Sequence, residues 1–222
     1  MSRKRLLVCC PVCGQEQAAE LWESLNVAVN PALKHMLLQG QLNQVDCQYC
    51  GHRFEVLEDL VYHDISKRLM IAISNQIPAV EVGGCEDELG AYRLRVVRDK
   101  RAMWEKVRVF EDDLDDRLVE FFKIVALRAL SGESVDRDAH LYYAGIYQND
   151  HQTELVFEAQ SGEGKAKVVP IPLEYYEWAS QKVQDQLRTM NEQEAGSWHL
   201  IDSLSGARIA MLIQRSVLAQ PS

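Results

Sequence analysis

Apolar and polar positions alternate along much of this chain in ways that predict its elements. Ala19 to Val29 carries strand-like stretches, and Asn30-Pro31 then opens a helix with Asn as cap and proline at its first position. That helix covers Ala32 to Gln39 and stops at Gly40, and Gln41 to Asp46 returns in extended form. Arg53 to Val61, Leu69 to Ser74, Tyr92 to Val97 and Lys106 to Phe110 read as further strands. Asn75 to Gly90, with Pro78, Gly83 and Gly84 and little periodicity, reads as a loop. From Leu114, apolar residues recur at helical spacing through Phe122 to Leu130, the longest helix of the pattern, which ends at Ser131-Gly132.

After a polar segment, Leu141 to Gln148 and Thr153 to Gln160 flank Asn149-Asp150-His151 as a hairpin. A turn at Ser161 to Lys165 leads to an extended Val168 to Pro172. A helix from Leu173 to about Met190 places Tyr176, Val183, Leu187 and Met190 inward. Trp198 to Ile201 and Ala207 to Ile213 close the pattern as short strands. The fold class is α+β. An N-terminal domain, residues 1–132, holds a small sheet with helices, and a smaller α+β unit occupies residues 133–222.

Composition adds limits. The chain has 222 residues, 47% hydrophobic and 26% charged, with a formal charge of −9. That excludes disorder and collagen-like repeats. The apolar runs fall short of the ~20 residues a membrane span needs, and the basic N-terminus is followed by too short an apolar run for a signal peptide. A cytoplasmic location follows as the expectation, with thiols held reduced.

Six cysteines are too few for a disulfide scaffold. Four of them form Cys10-Pro11-Val12-Cys13-Gly14 and Cys47-Gln48-Tyr49-Cys50-Gly51, with 33 residues between the pairs. Two intervening residues let both sulfurs of one turn face a common centre, and the glycine after each pair can take a positive φ. Two such turns make a tetrahedron of thiolates suited to one structural zinc ion on Cys10, Cys13, Cys47 and Cys50. A redox dithiol is the competing reading, because Cys-Pro-x-Cys also occurs at helix N-termini where the first thiol is activated. Neither pair here opens a helix. Cys9 and Cys85 lack partners at ligand spacing, and His52 could donate to a sulfur.

Taken in order, these motifs resemble the CpXC family. The matching pieces are the two knuckles, Trp22 to Val27 with Asn30 to Lys34, Leu37 to Gly40, Val61-Tyr62-His63-Asp64, Glu105 to Asp112 and Leu114 to Glu120. Gln48 stands where that family usually has proline, a change that removes stiffness and no ligand. The resemblance spans about residues 10–127 and implies a bacterial or archaeal protein with a zinc-ribbon-like fold; it brings no activity with it.

Other constellations have plainer readings. Five carboxylates between Glu111 and Asp116 sit at a helix start, where acids oppose the macrodipole, and they lack the glycine and distal glutamate of a calcium loop. Arg93, Arg95, Arg98, Lys100, Arg101, Lys106 and Arg108 make the one candidate nucleic-acid stripe, set against an overall pI of 5.2. The pairs His63–Asp64 and His199–Asp202 could do acid–base work, but adjacent strand residues point to opposite faces. No nucleophile elbow, phosphate loop or dinucleotide fingerprint occurs, so no catalytic or cofactor-binding residue is nominated. The expected function is a zinc-stabilised interaction or adaptor module, not an enzyme. Its acidic balance favours a protein partner over nucleic acid. A redox dithiol protein and a nucleic-acid-binding ribbon are the alternatives.

Overall fold

The computed structural model describes residues 2–56, 59–75, 92–130, 140–160 and 167–218. It is α+β. The chain divides into two compact units, Met1–Trp104 with Glu194–His199, and Glu105–Gln193 with Leu200–Ser222. The expected division at Gly132 lies outside the described residues, as do the loop at 76–90, the turn at 161–165 and Cys85.

The first unit is built on a six-stranded sheet in the order β1-β2-β5-β6-β7-β11. Its strands are β1 (Ser2–Cys9), β2 (Glu16–Asn26), β5 (Leu60–Asp64), β6 (Leu69–Ile73), β7 (Arg93–Val97) and β11 (Trp198–His199). β1 pairs antiparallel with β2, and β2 runs parallel to β5. The connection between β2 and β5 therefore has to cross over. It contains α1 (Pro31–Leu38) and a two-stranded ribbon, β3 (Gln44–Asp46) with β4 (Arg53–Glu55). The stretch expected as one strand from Arg53 to Val61 is thus two elements in different sheets.

α1 stops as its sequence directs. Gly40 takes φ +69, its N–H reaches the Leu37 carbonyl at 3.0 Å, and Gln41 N–H reaches Met36 at 2.9 Å. This is a Schellman ending, which an L side chain at Gly40 would strain. A Cβ there would also meet the Trp104 ring at 2.9 Å. Asn43, in the left-handed region at φ 56, then uses its side-chain amide to accept from Trp22 N–H and donate to Trp22 C=O, at 2.8 and 3.0 Å. The return strand is so fastened to β2.

The second unit is a three-stranded antiparallel sheet, β8 (His140–Gln148), β9 (Thr153–Gln160) and β10 (Lys167–Pro172), in the order β10-β9-β8. It carries α3 (Asp116–Leu130), α4 (Leu173–Lys182) and α6 (Ser203–Leu218). α2 (Lys100–Glu111) and α5 (Gln184–Glu194) straddle the unit boundaries. Leu118, Phe122, Leu155, Phe157, Val183 and Ile209 are among its buried core residues.

Three sequence expectations are corrected here. Lys106 to Phe110 is not a strand but the second half of α2. Asp99 caps that helix through Ala102 N–H at 2.9 Å, and Met103, Val107 and Phe110 bury one helical face. Ala207 to Ile213 is likewise helical, within α6. Asp202 accepts from Leu204 and Ser205 N–H at its start, and Gly206, Ile209 and Ile213 form its buried stripe. In both places a short apolar run mimicked a strand, and a capping aspartate upstream decided for helix. The single helix expected over 173–190 breaks in two at Val183, whose φ of −122 leaves the helical region.

Candidate metal centre

Two hairpins carry the four cysteines. The loop between β1 and β2 holds the first knuckle, and the loop between β3 and β4 holds the second. The two turns repeat one another bond for bond. In the first, Cys10 N–H donates to the Gln15 carbonyl at 3.0 Å and Gly14 N–H to the Cys10 carbonyl at 3.0 Å. In the second, Cys47 N–H donates to His52 at 2.9 Å and Gly51 N–H to Cys47 at 2.8 Å. Gly14 and Gly51 sit at φ +69 and +71, a conformation that costs an L-residue about 1–2 kcal/mol. The requirement for glycine after each pair is therefore a backbone requirement.

The four Sγ atoms lie within 4.8 Å of one another and could hold a metal ion. Cys10 Sγ is 3.7 Å from Cys50 Sγ, and Cys13 Sγ is 3.6 Å from Cys47 Sγ, so sulfurs of the two hairpins approach one another directly. None of the four is in a disulfide. Their proton affinities divide by position in the turn. For Cys10 the N–H of Cys13 outweighs burial and lowers the thiol pKa. Cys47 is opposed by burial, yet the N–H groups of Cys50 and Tyr49 bring it down to about 6. Cys13 has help from Gln15 N–H, but burial and the neighbouring sulfurs push it up to about 12. In the same way Cys50, favoured by His52 N–H, is raised by burial and by Cys47 and Cys10. Each turn thus pairs a readily ionised sulfur with a reluctant one, a conflict that a cation at the common centre resolves because it favours the thiolate of all four.

A residue that sequence reasoning missed holds the hairpins together. Gln17 on β2 is buried, and its amide donates to the Asp46 carbonyl at 3.0 Å while its Oε1 accepts from Gln48 N–H at 2.8 Å. It straps the first hairpin to the second knuckle, and no local pattern marks it. The Arg53 guanidinium grips Asp46 across the ribbon at 2.6 and 3.0 Å and lowers that carboxyl's pKa.

The remaining candidates resolve into structural roles. Cys9 ends β1 with its Sγ 3.5 Å from the Gly14 carbonyl. His52 joins through its carbonyl, and its ring stacks on Phe54. Asp64 is buried and organises the β5–β6 turn, accepting from Ser66 N–H, Ser66 hydroxyl and Lys67 N–H. His63 meets the Tyr92 hydroxyl at 3.1 Å, and burial lowers its pKa. The two do not form an acid–base pair. Asp202 caps α6 through Leu204 N–H at 3.0 Å.

Three of the seven residues in the basic segment, Arg95, Lys100 and Lys106, are buried and paired. Arg95 is 1% exposed and pairs with Glu194 at 3.3 Å. Lys100 is buried against the Leu42 carbonyl and Glu55. Lys106 is buried between Asp116 at 3.1 Å and Glu120 at 3.7 Å. In the acidic run, Asp115 caps α3 through Arg117 N–H at 3.0 Å, and Asp112 accepts the Tyr143 hydroxyl at 2.6 Å.

Two hairpin-borne Cys-x-x-Cys turns facing one another define an α+β protein with a four-cysteine ribbon able to hold a metal ion. Residues 8–123, more than half of the chain, match the family described as CpXC protein, and the chain belongs to that family. Among curated proteins and solved structures nothing matches it. No helix among the described residues is long and apolar enough to cross a membrane.

Proposed function

We propose that Cys10, Cys13, Cys47 and Cys50 hold one zinc ion as a structural centre, and that the chain works as a non-enzymatic protein-interaction module in the cytoplasm. The observation that carries the metal reading is the sulfur geometry. Zn–S bonds of ~2.3 Å in a tetrahedron put the sulfurs about 3.8 Å apart, and the cross-hairpin separations of 3.7 and 3.6 Å agree with that. Four thiolates fill the coordination shell, so the ion would stabilise and leave no open position for catalysis. A protein partner fits a chain of charge −9 whose central basic residues are spent on internal ion pairs.

The test is elemental analysis of tag-free protein with a thiol count before and after strong chelation. One zinc per chain, with four thiols released on its removal, is expected. A metal-free protein with a reversible disulfide would replace this reading with a redox dithiol.

A further inference from the structure

α6 carries two apolar stripes on opposite sides. The inner one, Gly206, Ile209 and Ile213, is buried in the second unit, and a Cβ on Gly206 would come within 2.6 Å of the Glu120 backbone. At ~100° per residue, Leu204, Met211 and Leu218 fall within about 40° of one another on the far side. They are 77%, 53% and 76% exposed. Ala207 and Gln214 lie between them and are exposed as well. The stripe runs about 21 Å along the helix. Surface leucines scattered singly are ordinary, but aliphatic residues at intervals of seven, with a small residue between, make the seam by which one helix lies along another.

Arg208 and Arg215, again seven apart, form one flank of the seam, and both are exposed. α6 holds no acidic residue, and among the described residues neither arginine has an ion pair. Asp202, the acid just before the helix, is engaged as its cap by Leu204 and Ser205 N–H. The opposite flank, Ser203, Ala210 and Val217, is uncharged.

We infer that this outer seam docks an amphipathic helix of a partner protein, with aliphatic residues at heptad spacing and carboxylates along the flank that meets Arg208 and Arg215. This rests on the interaction-module reading and gives it a surface and a partner chemistry. Charges beside a helix seam set partner choice and orientation, and two cations with no anion of their own favour a helix that supplies one. A second copy does not supply it. Arg208 and Arg215 stand almost evenly about Met211, so antiparallel pairing of two α6 helices sets Arg208 of one against Arg215 of the other at both ends. Parallel pairing turns the arginine flank toward the uncharged one. A lipid surface is matched less well, because helices that lie on anionic membranes carry many cations beside a broad apolar face, whereas this seam is one residue wide with two cations.

The full chain is panned against displayed three-heptad helical peptides with leucine at the seam positions and glutamate, glutamine or lysine randomised on both flanks. Glutamate should be enriched over lysine. Enriched peptides, titrated by fluorescence anisotropy, should bind more weakly as salt rises. Met211→Ser, at an exposed position, should weaken binding about tenfold with the thermal midpoint unchanged. Arg208→Glu with Arg215→Glu should invert the preference from glutamate to lysine peptides, a reversal that mere damage to the helix does not produce. No enrichment, or enrichment without flank preference, overturns the proposal, as does a preference for glutamate that survives the double charge reversal. So does a concentration-dependent dimer that Met211→Ser abolishes, or retention on phosphatidylglycerol vesicles in place of peptide. Peptides bound with no loss in Met211→Ser keep the interaction reading and sink this surface. A metal-free chain with a reversible disulfide removes the reading beneath it, a result distinct from all of these.

Discussion

The cysteine ribbon and the second unit reach stability by opposite routes. Behind the two knuckles lies a buried cluster of Val8, Ala19, Leu21 and Val45, one side of which opens onto solvent. The second unit instead buries a continuous core from α3, α4, α6 and all three strands of its sheet, with Leu155, Phe157, Ala179, Val183 and Ile209 at zero exposure. A cluster as small as the first does not outweigh the conformational entropy of ordering its hairpins, whereas the second unit's core is of the size that does. On the proposed reading, what separates them is whether a metal completes the work.

That contrast breaks most sharply on removal of the metal. Strong chelation, or Cys47→Ala, should unfold the ribbon locally, because structural zinc contributes ~10–16 kcal/mol in small domains. Hydrogen exchange should then show lost protection over residues 8–21 and 44–56 with residues 141–159 still protected. Loss of protection in both together would mean that the metal supports the whole chain.

The reverse experiment is Phe157→Ala, which should cost about 3–5 kcal/mol. It should lower the thermal midpoint of the second unit and leave the metal content unaltered. Smaller again is Gly206→Ala. A Cβ on Gly206 would lie 2.6 Å from the Glu120 backbone, a contact that only a shift of α6 against α3 can relieve. A loss of ~1–3 kcal/mol is expected, read as a lower midpoint in denaturant.

The smallest effect sharpens the comparison within the first unit, away from the metal. Burial opposes ionisation of Asp64, but the Ser66 hydroxyl, the Lys67 and Ser66 N–H groups and Lys34 together lower its pKa. A carboxyl lowered in the folded state stabilises it above the unfolded value of ~3.9 and loses that contribution as pH falls through the folded value. Asp64→Ala should therefore cost ~1 kcal/mol at neutral pH. The difference from wild type should shrink in acid, as followed by urea denaturation at a series of pH values.

The parts legible in the sequence were those set by neighbours along the chain. Cys-x-x-Cys-Gly fixes a turn by itself, and Asn149-Asp150-His151 closes a hairpin in which the Asn149 side chain accepts from His151 and Gln152 N–H. The stop of α1 at Gly40 is equally local. Elsewhere the deciding partner is distant. Val107 and Val109 alternate as a strand would, and only burial of Met103 and Phe110 with them makes the segment helical. Charge counting placed a basic stripe from Arg93 to Arg108, but it could not see that Glu194 waits beside Arg95, or Asp116 and Glu120 beside Lys106. Gln17 is the clearest case, since its two bonds reach residues 29 and 31 positions away.

The bond-for-bond repetition of the two knuckles has a kinetic consequence. With the proposed ion, each turn would act as a bidentate chelate set by its own backbone, so the first two sulfurs to capture it would need no long loop to close. The second pair then joins an ion already concentrated beside it. Loading should proceed through a half-ligated intermediate, and release should begin by opening one jaw while the other keeps its hold.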